Sequence, residues 1–153
     1  MNKIQGDLIE LALDGEFDVI VHGCNCFNTM GKGIALQIKN KIPEAYKADK
    51  LTSKGDRGKL GSYTHCTVNN RLGGNLTVIN GYTQYNFRKG KNINYISVRK
   101  VFRSLNDQFK NTGKTIAYPA IGSGLAGGDW DKIYDIICEE LRDVEHYFVE
   151  YRK

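Results

Sequence analysis

The chain has 153 residues, 41% of them hydrophobic and 25% charged, with only 2 prolines. That length predicts one domain, and the apolar fraction excludes a disordered chain. The formal charge of +5 favours anionic partners without naming one.

In chain order, Lys3-Ile4-Gln5 reads as a short strand ended by Gly6-Asp7, and Leu8, Ile9, Leu11 and Leu13 as one or two helical turns. Residues 17–22 are β-rich and bounded by glycine, which predicts a buried strand. Ile34, Ala35, Ile38 and Ile42 then recur at helical spacing, and Pro43 opens a further helix from its first turn. Residues 60–68 and 76–82 predict an antiparallel pair around the turn at 69–74. Residues 83–94 are polar and basic, and predict a surface loop. Val98, Phe102, Leu105 and Phe109 mark one face of a helix. Residues 115–119 predict a central strand. Trp130, Ile133, Ile137 and Leu141 line a last helix, and residues 147–151 a last strand. The sum is a mixed sheet with helices on both faces, in which ligands sit at the carboxyl ends of strands.

No run of about 18 apolar residues occurs, and residues 1–7 have no apolar leader character. A cytoplasmic monomer with no membrane partner is the expectation (host cytoplasm, if the source is viral). Cys24, Cys26, Cys66 and Cys138 form no CxxC pair. They read as small buried thiols rather than a zinc site built with His22 and His65, and neither metal nor cofactor is expected. Arg88, Lys89, Lys91, Arg99, Lys100 and Arg103 form a modest basic group, either a solvated face or a contact for nucleic acid.

Two glycine loops stand out. Val21-His22-Gly23-Cys24-Asn25-Cys26 runs through Gly31-Lys32-Gly33 into Ile34-Ala35. Pro119-Ala120-Ile121-Gly122-Ser123-Gly124-Leu125-Ala126-Gly127-Gly128 runs into Asp129-Trp130. Each follows a predicted strand and leads into a predicted helix, an arrangement that aims backbone N–H groups at a phosphate. Gly122 to Gly127 match G-x-G-x-x-G. Too little chain follows to complete a dinucleotide-binding half, however, and no P-loop motif occurs.

At these residues the chain resembles the macrodomain family, with the His-x-Cys-Asn-Cys form of its ADP-ribose 1″-phosphate phosphatase group at residues 22–26. The resemblance implies a three-layer α/β/α macrodomain-like fold over residues 1–153, with a mixed central sheet. It implies binding of ADP-ribose and metal-independent hydrolysis of ADP-ribose 1″-phosphate. Asp7 and Leu8 would lie at the adenine, with Tyr151 stacked on it. Gly31, Gly33, Gly122, Ser123, Gly124 and Gly127 would wrap the diphosphate, with Lys32, Ile34, Ala35, Leu125 and Ala126 also at the ligand. Asn25 would hold the distal ribose and a water, and His22 and Asp129 would move protons. Apart from the family, Asp7 and Asp129 also suit helix N-caps and His22 a core histidine. Other family members remove ADP-ribose from protein or DNA bases, so an ADP-ribosylated macromolecule is an alternative partner; a module that binds ADP-ribose without turning it over is the other alternative. Those enzymes carry a lysine where this chain has Gln84, and one of them a catalytic aspartate where it has Ala126.

Overall fold

The computed structural model describes residues 2–124 and 126–152. Its strands are β1 (Lys3–Gly6), β2 (Val19–Cys24), β3 (Tyr63–Asn69), β4 (Asn75–Tyr82), β5 (Ile116–Tyr118) and β6 (His146–Tyr151). Its α-helices are α1 (Leu8–Leu13), α2 (Gly33–Lys41), α3 (Pro43–Lys50), α4 (Tyr95–Phe109) and α5 (Trp130–Glu140). The strands form one sheet in the order β1-β6-β5-β2-β4-β3. Every pairing is parallel except the β3–β4 hairpin. The predicted mixed sheet with two helical layers is what the chain forms.

Strand alternation sorts the core into two halves. Val19, Val21, Ile79, Ile116, Tyr118 and Phe148 face α4 and α5, meeting Phe102, Leu105, Ile133 and Ile137. Ile20, Leu76, Val78, Ala117 and Val149 point the other way, onto Leu8, Ile9, Ile38 and Ala45 from α1, α2 and α3. A sheet buried on both faces needs near-continuous apolar strands, as β2 and β5 are.

Two local differences from the sequence reading matter. The strand expected from residue 17 begins at Val19 and continues to Cys24, carrying Gly23 and Cys24 into the sheet. Residues 83–94 are not simply a surface loop. Thr83 is buried, and Gln84 bridges Ile93 in antiparallel fashion. The Asn94 N–H donates to the Thr83 carbonyl at 2.8 Å. The segment is a strap, closed at its base, that crosses the carboxyl edge of the sheet. Because β1, β6, β5, β2 and β4 run parallel, their carboxyl ends share that edge, and both glycine loops emerge there.

Candidate ligand-binding site

The loops after β2 and β5 enclose a cavity of about 590 Å³ between them, with the strap as a third wall. Gly31, Lys32, Gly33, Ile34 and Ala35 line it from the first loop, with Asn25 and Thr29, and Gly122, Gly124 and Ala126 from the second. From the strap come Gln84, Phe87, Arg88 and Lys89. The size is that of a small-molecule site. Among the described lining residues there are three cations, Lys32, Arg88 and Lys89, and no carboxylate. Such a surface suits an anion.

Backbone geometry explains the glycines. Gly33 has φ +58° and opens α2. Its N-cap, Lys32, makes no side-chain cap bond, so the first N–H groups of α2 are left for another acceptor. Gly122 has φ +72°, and a Cβ there would lie 2.4 Å from Ile93 Cδ1. Gly127, at φ +71°, lets the second loop press on the strap: a Cβ there would lie 2.6 Å from the Gly90 carbonyl oxygen. The Ala126 carbonyl accepts from the Asn92 and Ile93 N–H groups at 2.8 and 3.2 Å. Loop and strap are therefore joined through backbone.

Asn25 lines the cavity, but its amide is engaged within its own loop. Oδ1 accepts from the Phe27 N–H at 2.8 Å, and Nδ2 donates to Thr29 Oγ1 at 2.8 Å. The side chain thus sets the shape of the loop and holds Thr29 at the cavity. Ser123 Oγ donates to the Ala120 carbonyl at 2.8 Å and holds the second loop in the same way.

His22, a candidate for proton transfer, lies in the core beside the site. It shares the face of β2 that carries Ile20, is 1% exposed, and is absent from the described lining of the cavity. Its Nε2 lies 2.7 Å from Asn80 Oδ1. Asn80 Nδ2 donates to the Ala45 carbonyl at 2.9 Å, which fixes the amide, so His22 Nε2 carries the proton. Burial lowers the His22 pKa from 6.5 to about 4 despite the Asn80 bond. The ring is a neutral core histidine, the alternative the sequence allowed. A buried polar chain continues from it through Asn80, Thr64 Oγ1 and Tyr82 OH to Asp49 Oδ1.

Asp129 takes the N-cap position that the sequence also allowed. Its Oδ1 accepts from the Asp131 and Lys132 N–H groups and caps α5. It borders a separate depression of about 470 Å³, together with Lys91, Tyr95 and Gly128, behind the second loop. Asp7 caps α1 through Oδ1, and Leu8 is buried in the core. Tyr151 is 57% exposed at the end of β6, paired in register with Gly6. Asp7 and Tyr151 share the carboxyl edge with the loops but lie off the described cavity wall. Leu125 lies outside the described residues.

The basic group divides. Arg99 and Arg103 are paired with Glu140 at 2.8 and 3.1 Å, and Lys100 packs against Gly61. Arg88 and Lys89, both exposed, line the cavity instead. The strap residues were missed as cavity wall because their polarity reads as solvent exposure. Phe87 and Ile93, apolar residues on either side of Gly90, are the signal of a loop that folds back. Among the described residues no three His, Cys, Asp or Glu side chains converge as metal ligands. No helix among them is long and apolar enough to cross a membrane.

Comparison places this geometry among known proteins. The family profile described as Macro domain matches residues 21–137. An uncharacterized 17.5 kDa protein from the tk-vs intergenic region of Enterobacteria phage T4 is 39% identical over 151 residues, 97% of this chain and 94% of its own. A DNA ADP-ribosyl glycohydrolase of Mycobacterium tuberculosis is 29% identical over 148 residues; these are 92% of this chain but only 39% of that protein. The ADP-ribose 1″-phosphate phosphatase of Aspergillus oryzae is 46% identical over a shorter stretch of 46 residues, 30% of this chain and 21% of its own. Among solved structures, the macrodomain of Mycobacterium tuberculosis DarG superposes with a TM-score of 0.70 at 25% identity, covering 96% of each chain.

Proposed function

The chain belongs to the Macro domain family, and from that premise we propose that its cavity binds ADP-ribose-type ligands and hydrolyses ADP-ribose 1″-phosphate to ADP-ribose and phosphate. One observation carries the reading: two glycine loops and the uncapped start of α2 face a single cavity whose described wall holds three cations and no carboxylate. Backbone N–H groups of the loops would hold the diphosphate. The loop shaped by Asn25 would seat the distal ribose, with Thr29 beside it.

Hydrolysis transfers the 1″-phosphoryl group to water. The bond from phosphorus to the ribose 1″-oxygen breaks, a new bond to the water oxygen forms, and a proton goes to the sugar oxygen. Phosphoryl transfer through a loose transition state asks mainly for alignment and charge stabilisation. A wall of cations and backbone donors supplies those. His22 and Asp129 are left out of this reading of the chemistry, and Asn25 is kept in it as the residue that shapes the loop on which ribose and water would sit.

A second reading, removal of ADP-ribose from a modified macromolecule, is favoured by the length of the match to the DNA ADP-ribosyl glycohydrolase. Gln84 counts against a lysine-dependent form of it, since Gln84 lines the cavity and cannot form a Schiff base. The test is incubation with ADP-ribose 1″-phosphate, with and without a chelator, following phosphate and ADP-ribose. Equal release of both products, lost in Asn25→Ala, supports the phosphatase reading. Inert ADP-ribose 1″-phosphate together with release of ADP-ribose from a modified oligonucleotide or protein moves the assignment to the second reading.

A further inference from the structure

The cavity has more positive charge than a diphosphate needs, and the surplus sits on one element. Lys32 stands at the start of α2, beside the N–H groups assigned to the diphosphate. Arg88 and Lys89 come from the strap, on a different wall. Among the described residues neither is ion-paired, unlike Arg99 and Arg103, which are held by Glu140. Their charge is therefore available to a ligand.

The strap's attachments show which loop they serve. The Cys26 N–H donates to the Tyr85 carbonyl at 2.9 Å. Tyr85 OH donates to the Gly55 carbonyl at 3.0 Å, with the Arg57 guanidinium 3.7 Å above its ring. Phe27 meets Tyr85 and Phe87 edge-on, at 4.9 and 5.7 Å between centroids. The Phe27 N–H is in turn held by Asn25 Oδ1. At the other foot, Asn92 and Ile93 are bonded to Ala126. Asn86 Oδ1 accepts from the Phe87 and Arg88 N–H groups, and Asn92 Nδ2 donates to the Arg88 carbonyl. The strap is thus anchored to both glycine loops, and its contacts with Phe27 set Arg88 and Lys89 beside the loop that Asn25 shapes.

We propose that Arg88 and Lys89 are specificity-determining residues that recognise a third phosphate, carried beyond the distal ribose of an ADP-ribose-type ligand. The inference rests on the ADP-ribose reading above and adds to it the group that distinguishes the preferred ligand. A guanidinium fork and an ammonium on adjacent residues fit a phosphate oxygen set, and such pairing strengthens as the ligand displaces water. The same chemistry has two sources: a phosphate monoester on a small molecule, or a phosphodiester of a nucleic-acid strand bearing ADP-ribose.

The test is calorimetric titration of the full chain with three ligands. They are ADP-ribose, a methylene-phosphonate analogue of ADP-ribose 1″-phosphate that has no cleavable ester, and a single-stranded oligonucleotide carrying one ADP-ribose on a base. The expected result is an advantage of about tenfold or more over ADP-ribose for at least one phosphorylated ligand at low salt, shrinking as salt rises. The Arg88→Gln/Lys89→Gln variant is expected to lose that advantage, so that the ratio of affinities falls towards one. An advantage confined to the phosphonate names a monoester, and one confined to the oligonucleotide names a diester; either supports the assignment. Equal binding of all three ligands by the unaltered chain, or an advantage that survives in the double variant, overturns it. Failure of ADP-ribose itself to bind is the separate result that overturns the underlying reading and this inference with it.

Discussion

His22 and Asn80 face one another across the parallel β2–β4 pair, Nε2 to Oδ1 at 2.7 Å, in exact strand register. The pairing turns a histidine at the head of a glycine loop into part of the core. It also gives the fold an acid sensitivity. The native His22 pKa lies near 4, below its ordinary 6.5, because burial disfavours the charged ring. Between these values the unfolded chain binds the proton and the folded chain does not. Stability is therefore full above about pH 6.5 and is lost as pH falls towards 4. At about 1.4 kcal/mol per pH unit, the loss attributable to His22 is roughly 3 kcal/mol. His146, also lowered by burial, acts in the same direction. Urea denaturation at pH 7.5 and 4.5 checks this by comparison with His22→Gln, whose stability is expected to fall less over that range. An identical fall in both proteins would count against the assignment.

Asp129 is predicted to matter for stability and not for turnover. Its carboxylate caps α5 through the Asp131 N–H at 3.0 Å, and removing such a cap costs about 1 kcal/mol. Thermal unfolding of Asp129→Ala is expected to show a modest drop in Tm, with phosphate release little changed. A loss of about a hundredfold in kcat at unchanged Tm would return Asp129 to the chemistry.

Two glycines of the second loop are expected to fail in different ways. Gly124 has nothing within 4 Å of an added Cβ and its φ lies outside the left-handed region, yet it lines the cavity. Gly124→Val should keep the Tm and weaken ADP-ribose binding about tenfold or more, by occupying ligand space. Gly122 has φ +72° and Ile93 Cδ1 only 2.4 Å from its Cβ position. Gly122→Ala should lower stability by about 1 to 3 kcal/mol, through strain and overpacking. Paired thermal melts and titrations separate the two effects. Equal Tm losses in both variants would contradict this account.

Thr83 Oγ1 is buried and has no hydrogen-bond partner among the described residues. A Cβ on Gly23 would lie 2.8 Å from it. Thr83→Val removes an unpartnered hydroxyl at nearly constant volume, so stability should hold or rise by up to about 1 kcal/mol. Chemical denaturation measures it directly, and a loss of 2 kcal/mol or more would mean that the hydroxyl has a partner in solution.

The legible parts of this chain were those written in local pattern. Ile20 between Val19 and Val21 announces a strand buried on both faces, and Gly31 and Gly33 ahead of Ile34 announce a loop opening a helix. The illegible parts depend on distant partners. Nothing near Arg99 or Arg103 shows that Glu140 holds them across α4 and α5. Nothing near Lys59 shows that its ammonium is buried against Asn28 and Thr52 at 2.7 and 2.9 Å. The period-2 alternation of β2 does put His22 on the face of Ile20, so its burial could be read once the strand was extended to Cys24. The strap was obscured because Arg88 and Lys89 look like surface residues, and only folding shows that the surface they occupy is a cavity wall.

Titration of the purified chain with ADP-ribose in a calorimeter, alongside Gly124→Val, tests the central claim most directly. The account predicts saturable binding of one ADP-ribose per chain, weakened in the variant while its thermal melt stays unchanged. Absence of binding heat across temperatures, or binding that Gly124→Val leaves untouched, would contradict the assignment of this cavity to an ADP-ribose-type ligand.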